Sequence, residues 1–453
     1  MRIESVFLAA CFLACCFFSY KSPILLSPFI TFNSSLLGIT ISSFSFFLIF
    51  ESKSKWHVAL LFILVAGINA WLASRAGFLV FLSGVFVHGF CGGFFKQISK
   101  KWMFGVISLS VLLGSFLVLF IKSDSTSGRW FIWKNCFRLI QDHPLTGTGW
   151  GSYRVAYNDM QAHYFQANGF QGKEALLADT VYYAFNEWLQ LAVELGVPVS
   201  LTLFGLNMLL VLAVIKRIRD GERNRFVTGA ITSFTSLLTA TFISYPFYYL
   251  PTIVLYLFLV LYLLYFLMQQ YFSKKSILTL SAFSFLLIGW VVYKQVVARK
   301  YWNDATELSR ISYNLKAKSM LLKAYPVLHS NGDYLYSLAM AYSNVNQKDS
   351  AIYFLNQSLF YKNDYQLHRK MGQLYYEHGD VGTAEFHFLK SVYIVPNRFK
   401  SREMLVDFYI RCRQAEKARE WAKSSFSFPV KVPSVQVFHI KQRFEQYLQT
   451  GEW

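Results

Sequence analysis

Residues 250–270 read LPTIVLYLFLVLYLLYFLMQQ, a run without a single charge. A helix of that length rises roughly 30 Å, the thickness of a bilayer's hydrocarbon core, so the stretch predicts a membrane-spanning helix. Scanning outward finds comparable apolar stretches near 4–20, 35–50, 57–74, 77–95, 103–121, 187–214, 226–246 and 276–293, about nine candidate spans in all. The composition agrees. The 453 residues are 54% hydrophobic and only 15% charged, with a mean hydropathy of +0.33, which does not fit a soluble chain of this size. Aromatics at 19% exclude disorder, and 10 Pro with 25 Gly exclude a collagen-like or linker-dominated chain.

The net charge of +19 belongs with a bilayer, as loop charge and attraction to anionic lipid; no nucleic-acid partner is expected, and membrane lipids are. Lys and Arg collect at Lys53 and Lys55, at Lys96, Lys100 and Lys101, from Lys216 to Arg225, and at Lys274 and Lys275. If those clusters are cytoplasmic, Arg75, the segment 122–186, the Tyr245–Pro251 turn and everything after about 298 face the other side. No small-x-small cleavage site precedes Tyr20, so the first apolar run is expected to be retained. The six cysteines show neither a disulfide framework nor a zinc spacing.

Two long polar segments, about 122–186 and about 300 to the end, carry the aqueous work. In the second, Tyr342, Tyr375 and Tyr409 recur at intervals of 33 and 34, and Ala351, Ala384 and Ala418 keep the same intervals. Gly372, Tyr375, Ala384, Phe388 and Pro396 resemble the tetratricopeptide pattern, in which small residues let paired helices approach and proline stops the second one. Ala317, Leu321 and Ala324 look like half of an earlier unit, and Ser434–Leu448 like a cap. Such an array offers a concave surface to a protein partner or acceptor.

The 122–186 segment interleaves Trp130, Trp133, Trp150, Tyr153, Tyr157, Tyr164, Tyr182 and Tyr183 with Arg129, Lys134, Arg138 and Arg154. Aromatic faces pack on the apolar side of a pyranose, and guanidinium forks match phosphate oxygens. Arg75, between two apolar spans, is costly enough in a membrane domain to need a reason, although a lone arginine also snorkels to the interface. Gly147-Thr148-Gly149-Trp150-Gly151 lacks a preceding strand and the spacing of a dinucleotide loop, and reads as a tight turn. Asn186, Glu187, Gln190 and Glu194 fall at helical spacings of three and four.

Together these residues resemble the O-antigen ligase and polymerase superfamily of bacterial envelope enzymes. The pieces that match, in order, are Ser74-Arg75-Ala76, then Gly128-Arg129 through Pro144 and Gly147–Gly151, then Phe185-Asn186-Glu187-Trp188-Leu189-Gln190 with Glu194-Leu195-Gly196. The resemblance covers about residues 30–270. It implies an all-α fold: a polytopic helical membrane domain over 1–298 with 122–186 as its large periplasmic loop, then a periplasmic α-solenoid of tetratricopeptide-like repeats over 299–453. The chain has fewer predicted helices than the usual member, the difference falling on the N-terminal side.

The implied activity is transfer of a glycan from an undecaprenyl-diphosphate carrier to a glycan, lipid or protein hydroxyl, at the periplasmic face of the bacterial inner membrane. Repeat-unit polymerase and inactive membrane-anchored scaffold are the alternatives. By the same resemblance Arg75 and Arg129 contact the diphosphate, and Glu187 is the first candidate base, with His163, Glu174 and Asp179 as alternatives. Trp130, Trp133, Arg138, Trp150, Tyr153 and Asn186 are expected to line the substrate. No metal or cofactor is expected, since no aspartate-x-aspartate motif occurs on the outer face. One departure stands out: the family often has His before the Asn that starts the sixth helix, and Phe185 stands there.

Overall fold

The computed structural model describes residues 34–51, 63–69, 71–72, 74–92, 123–222, 224–269 and 274–453. Among the described residues every regular element is helical. The predicted spans 4–20 and 103–121, and much of 57–74, lie outside them. Among the described residues three helices are long and apolar enough to cross a membrane, Val197–Arg219, Arg225–Ile243 and Leu250–Met268, and Ser35–Phe46 and Ala76–Gly89 are shorter apolar stretches. The chain divides into two compact units. One holds 1–121, 184–192 and 197–299, and the other holds 122–183, 193–196 and 300–453.

In the first unit the helices Ser34–Glu51, Arg75–Gly92 and Arg225–Ile243 pack on one another. Small residues make this possible: a Cβ on Gly77 would collide with Asn69 and the backbone of Gly38, and one on Gly84 with the ring of Phe46. Arg225–Ile243 buries Thr228, Thr232, Ser233, Ser236 and Thr241. Several hydroxyls donate back to their own helix, as from Thr232 Oγ1 to the Thr228 carbonyl at 2.8 Å, so polar side chains are carried without an external partner. Leu201, Leu209 and Leu212 on Val197–Arg219 stay exposed, as a lipid-facing surface requires. Arg217 Nη1 donates to the carbonyls of Phe266 and Leu267 at 2.6 and 2.9 Å, closing the end of Leu250–Met268.

The expected single span over 187–214 is instead two helices, Glu187–Leu195 and Val197–Arg219. Gly196 separates them at φ +85°, a conformation that favours glycine, and Pro198 has no amide hydrogen to continue the ladder. The last stretch, expected as a span over 276–293, belongs to a single 37-residue helix, Lys274–Arg310.

In the second unit three helical hairpins follow one another: Gly332–Asn344 with Lys348–Leu359, Tyr365–Glu377 with Val381–Ile394, and Phe399–Arg411 with Ala415–Ser427. Asn314–Leu328 precedes them and Val435–Thr450 follows. The two columns read from the sequence fall on matching positions, the tyrosines on the first helix of each hairpin and the fully buried alanines on the second. Methyl groups there let the paired backbones approach, and Gly372 lies against the ring of Phe388 for the same reason.

The segment 122–183 folds as three helices, Ser123–Asp142, Tyr153–Asn168 and Gly172–Leu177, and these share a core with the hairpins. Phe131, Phe165, Ala175 and Ala178 pack in one cluster with Ala384, Phe388, Val392, Leu405 and Phe408. Buried Arg402 lies between the rings of Phe170 and Phe428, at 4.7 and 4.3 Å. Gln161, 1% exposed, donates from Nε2 to the carbonyls of Asp179 and Ile394 at 3.0 and 2.6 Å. Asn397 Nδ2 donates to those of Leu176 and Ala178 at 2.8 and 2.6 Å.

Candidate functional site

The glycine turn is held by backbone pairing. Thr148 and Gly149 donate their amides to the carbonyls of Val193 and Glu194, each at 2.9 Å, and the Gly151 amide donates to Glu194 Oε2 at 3.0 Å. Gly147, Gly149 and Gly151 all have positive φ, and a Cβ on Gly147 would strike the Glu194 carbonyl. The turn's amides at 148, 149 and 151 are spent on protein acceptors, so it works as a clasp on Val193–Gly196. Trp150 projects from it, 76% exposed.

Along Ser123–Asp142 the buried stripe of Phe131, Ile132, Asn135, Cys136 and Leu139 turns the other residues outward. Arg129 and Trp133 are half-buried and Trp130 is exposed. Arg138 lies over the Tyr164 ring at 4.9 Å and donates to Asn135 Oδ1 at 3.3 Å. Lys134 pairs with Glu174 at 3.2 Å, and the Tyr164 hydroxyl donates to the same carboxylate.

Several of the polar and aromatic residues singled out by sequence have partners within the protein. Tyr153, 1% exposed, stacks on Tyr157 with its hydroxyl 3.4 Å from Cys136 Sγ. Burial pushes that thiol up to about 12, so it stays protonated. Arg154 is an ion-pair residue: Nη1 and Nη2 donate to the two Asp333 oxygens at 2.7 and 3.1 Å, and its guanidinium covers the Tyr182 ring at 4.2 Å. Lys362 joins Asp333 at 2.8 Å and Asp364 at 3.0 Å. Burial alone would push the Asp333 carboxyl up; the Arg154 hydrogen bonds and charge, with Lys362, outweigh it and bring it down to about 2. Among the candidate bases, Asp179 accepts from Arg398 through both oxygens at 3.0 Å, Glu174 is shared by Lys134 and Tyr164, and His163 is exposed 3.8 Å from Asp159.

In the membrane unit Asn186 Oδ1 accepts the Leu189 amide at 3.0 Å, capping the helix that starts at Glu187. Glu187 is buried, with Oε1 accepting the Phe247 amide at 2.9 Å. Gln190 accepts the Ala184 amide at 3.1 Å and donates to the Tyr248 hydroxyl. The helix entry thus holds the Pro246–Tyr248 turn. Phe185, at φ +56°, is a strained position for a side-chain-bearing residue, and its ring meets Tyr245 edge-on at 5.3 Å. Arg75 is the first residue of the Arg75–Gly92 helix. Its backbone follows Ser74, whose Oγ accepts the Gly77 amide at 3.0 Å and donates to the Ser35 carbonyl at 3.1 Å.

Gln161 and Asn397, which join the 122–183 segment to the hairpins, were not singled out by sequence. Their main-chain partners lie up to 233 positions away, and nothing local marks them.

No curated protein matches the chain. Residues 24–204 match a family model described as O-antigen ligase, so this part of a chain with membrane-type helices is similar to that family, and the match supports O-antigen ligase-like glycan transfer at the level of the family.

Proposed function

We propose that the protein transfers a glycan from an undecaprenyl-diphosphate carrier to an acceptor hydroxyl at the periplasmic face of the bacterial inner membrane. The observation that carries this reading is the O-antigen ligase match, which takes in Arg75, Arg129 and Glu187 in one stretch. The acceptor oxygen attacks the anomeric carbon and the new glycosidic bond forms. The bond from that carbon to the phosphate oxygen breaks, the lipid diphosphate leaves, and the hydroxyl proton passes to a base. Negative charge develops on the leaving diphosphate, where Arg75 and Arg129 neutralise it without a metal. Trp130, Trp133 and Trp150 contact sugar faces, and the hairpins, as a tetratricopeptide-like array, receive the acceptor or a protein partner.

Glu187 is the proposed base, and its bond to Phe247 makes the test specific. Gln at this position keeps an oxygen to accept the Phe247 amide and loses the carboxylate. In membranes supplied with lipid-linked oligosaccharide, Glu187→Gln is expected to lower turnover about 100-fold or more; near-normal turnover would leave Glu187 a positioning residue. Arg129→Ala is expected to abolish transfer with normal insertion, and Arg129→Lys to restore it only in part, because ammonium lacks the bidentate fork. Wild-type transfer in Arg129→Ala would remove it from the phosphate site.

A scaffold without activity is the second reading, favoured by Phe185 at the family's histidine position. Deleting the gene separates the two: carrier-linked glycan accumulates if the protein is a transferase and is unchanged if it is a scaffold.

A further inference from the structure

A cavity of about 610 Å³ opens in the second unit between the start of Tyr365–Glu377, the start of Phe399–Arg411, the 430–437 link and Asp179. That volume falls in the range of small-ligand sites, ~300–1,000 Å³. Its charge is one-sided. Arg369, Arg398, Lys400 and Lys431 line it against one carboxylate, Asp179. Asp179 is already committed to Arg398, and Lys400 is held by Glu403 at 2.6 Å. Arg369 and Lys431 make no ion pair among the described residues, Lys431 donating only to the Leu177 carbonyl at 3.3 Å. The rest of the lining is largely apolar and aromatic, with Tyr365, Phe399, Val430, Val432, Val437 and Ile440. Val432 is exposed there beside Val437 and Ile440, and Arg398 reaches over the Tyr365 ring at 5.3 Å.

We infer that this cavity binds an acidic saccharide, a pyranose bearing a carboxylate or phosphate group. Two uncompensated cations satisfy the anionic group, with the Arg369 fork suited to a planar carboxylate or a phosphate. The aliphatic and aromatic wall packs against the C–H face of the ring. A compact ligand that carries both an anionic group and an apolar face matches this mixed lining better than a peptide, for which the helix ends and link around the cavity provide no strand edge to pair with. The site goes beyond the transfer reading, because it lies wholly in the second unit, and its test reads binding alone; either can fail while the other stands.

The test is calorimetric titration of the full chain in lipid nanodiscs. The probes are tetragalacturonate, maltotetraose as the uncharged counterpart and tetraglutamate as the peptide of equal charge. The expected result is binding of tetragalacturonate about tenfold or more tighter than either control, weakened about tenfold in Arg369→Gln and again in the double variant with Lys431→Gln. Arg369→Lys, which keeps the charge, retains most of the affinity. Should the double variant unfold, Lys431→Gln alone, at an exposed side chain, reads the same direction. No binding of tetragalacturonate at millimolar concentration, equal binding of maltotetraose, tighter binding of tetraglutamate, or unchanged affinity in a folded Lys431→Gln variant would each overturn the assignment.

Discussion

Replacing Gln161 by Leu removes a single amide from the joint between the 122–183 segment and the hairpins. The side chain is 1% exposed, so water cannot take its place. Three groups lose a partner: the Ile394 carbonyl, the Asp179 carbonyl and the Tyr157 hydroxyl, which donates to Gln161 Oε1 at 3.2 Å. A buried polar group left unsatisfied costs about 1–3 kcal/mol. The Asp179 carbonyl is only part-buried and Tyr157 keeps Asn135 nearby, so the Ile394 carbonyl dominates, and the sum comes to about 2–4 kcal/mol. Leu matches Gln in volume, so little of this is cavity. Hydrogen exchange on the full chain should show the Tyr153–Asn168 amides opening about 30- to 1,000-fold more often. Gln366→Leu, at an exposed amide, should change the same amides by less than about 0.5 kcal/mol. Unchanged protection in Gln161→Leu would refute the view that this side chain fastens the segment.

Truncation after Lys300 tests the same joint more severely. The sequence assigns the repeats to binding an acceptor or a protein partner, but the core shared by Phe131 and Phe165 with Ala384, Phe388 and Phe408 predicts that the 122–183 segment becomes protease-sensitive and that transfer to small and native acceptors is lost together. Protection of the segment in a stably inserted truncated protein would contradict this. A pH effect follows from His368 and His387, whose Nδ1 atoms are 2.8 Å apart in the core. Burial, with Lys390 beside it, brings His387 down to about 4 from 6.5, and burial, with His387 and Lys390, holds His368 well below its ordinary value. Both are therefore neutral when folded, while the unfolded chain takes up protons below pH 6.5, so the pair's contribution is complete above pH 6.5 and lost as pH falls toward 4. The thermal midpoint of the full chain should drop over that window, and less steeply in His387→Asn; equal slopes would rule the pair out. Finally, Gly196→Ala places a Cβ against the Leu145 carbonyl at φ +85°, costing about 1–3 kcal/mol in backbone strain before the collision is counted, and should expose the 145–151 turn to limited proteolysis; wild-type resistance would mean that the clasp tolerates a side chain.

Sequence alone determined whatever is written in local periodicity. The uncharged run at 250–270 had to become a helix, because hydrocarbon leaves no other way to satisfy its amides. The columns of Tyr342, Tyr375 and Tyr409 and of Ala351, Ala384 and Ala418 likewise located three hairpins, because repeated close packing needs the same small residue at the same place. The break at Gly196 was less legible, since its apolar surroundings look continuous and only φ reveals what the glycine is for. Tertiary structure decided which charged side chains pair with one another. Arg154, Lys134, Glu174 and Asp179 are not paired by any signal in the sequence, yet Arg154 is neutralised by Asp333, Lys134 is paired with Glu174, and Asp179 is bound by Arg398. Those ion pairs join residues from 40 to 219 positions apart. No spacing rule reaches that far, because what brings such charges together is the burial of apolar faces elsewhere on the same helices.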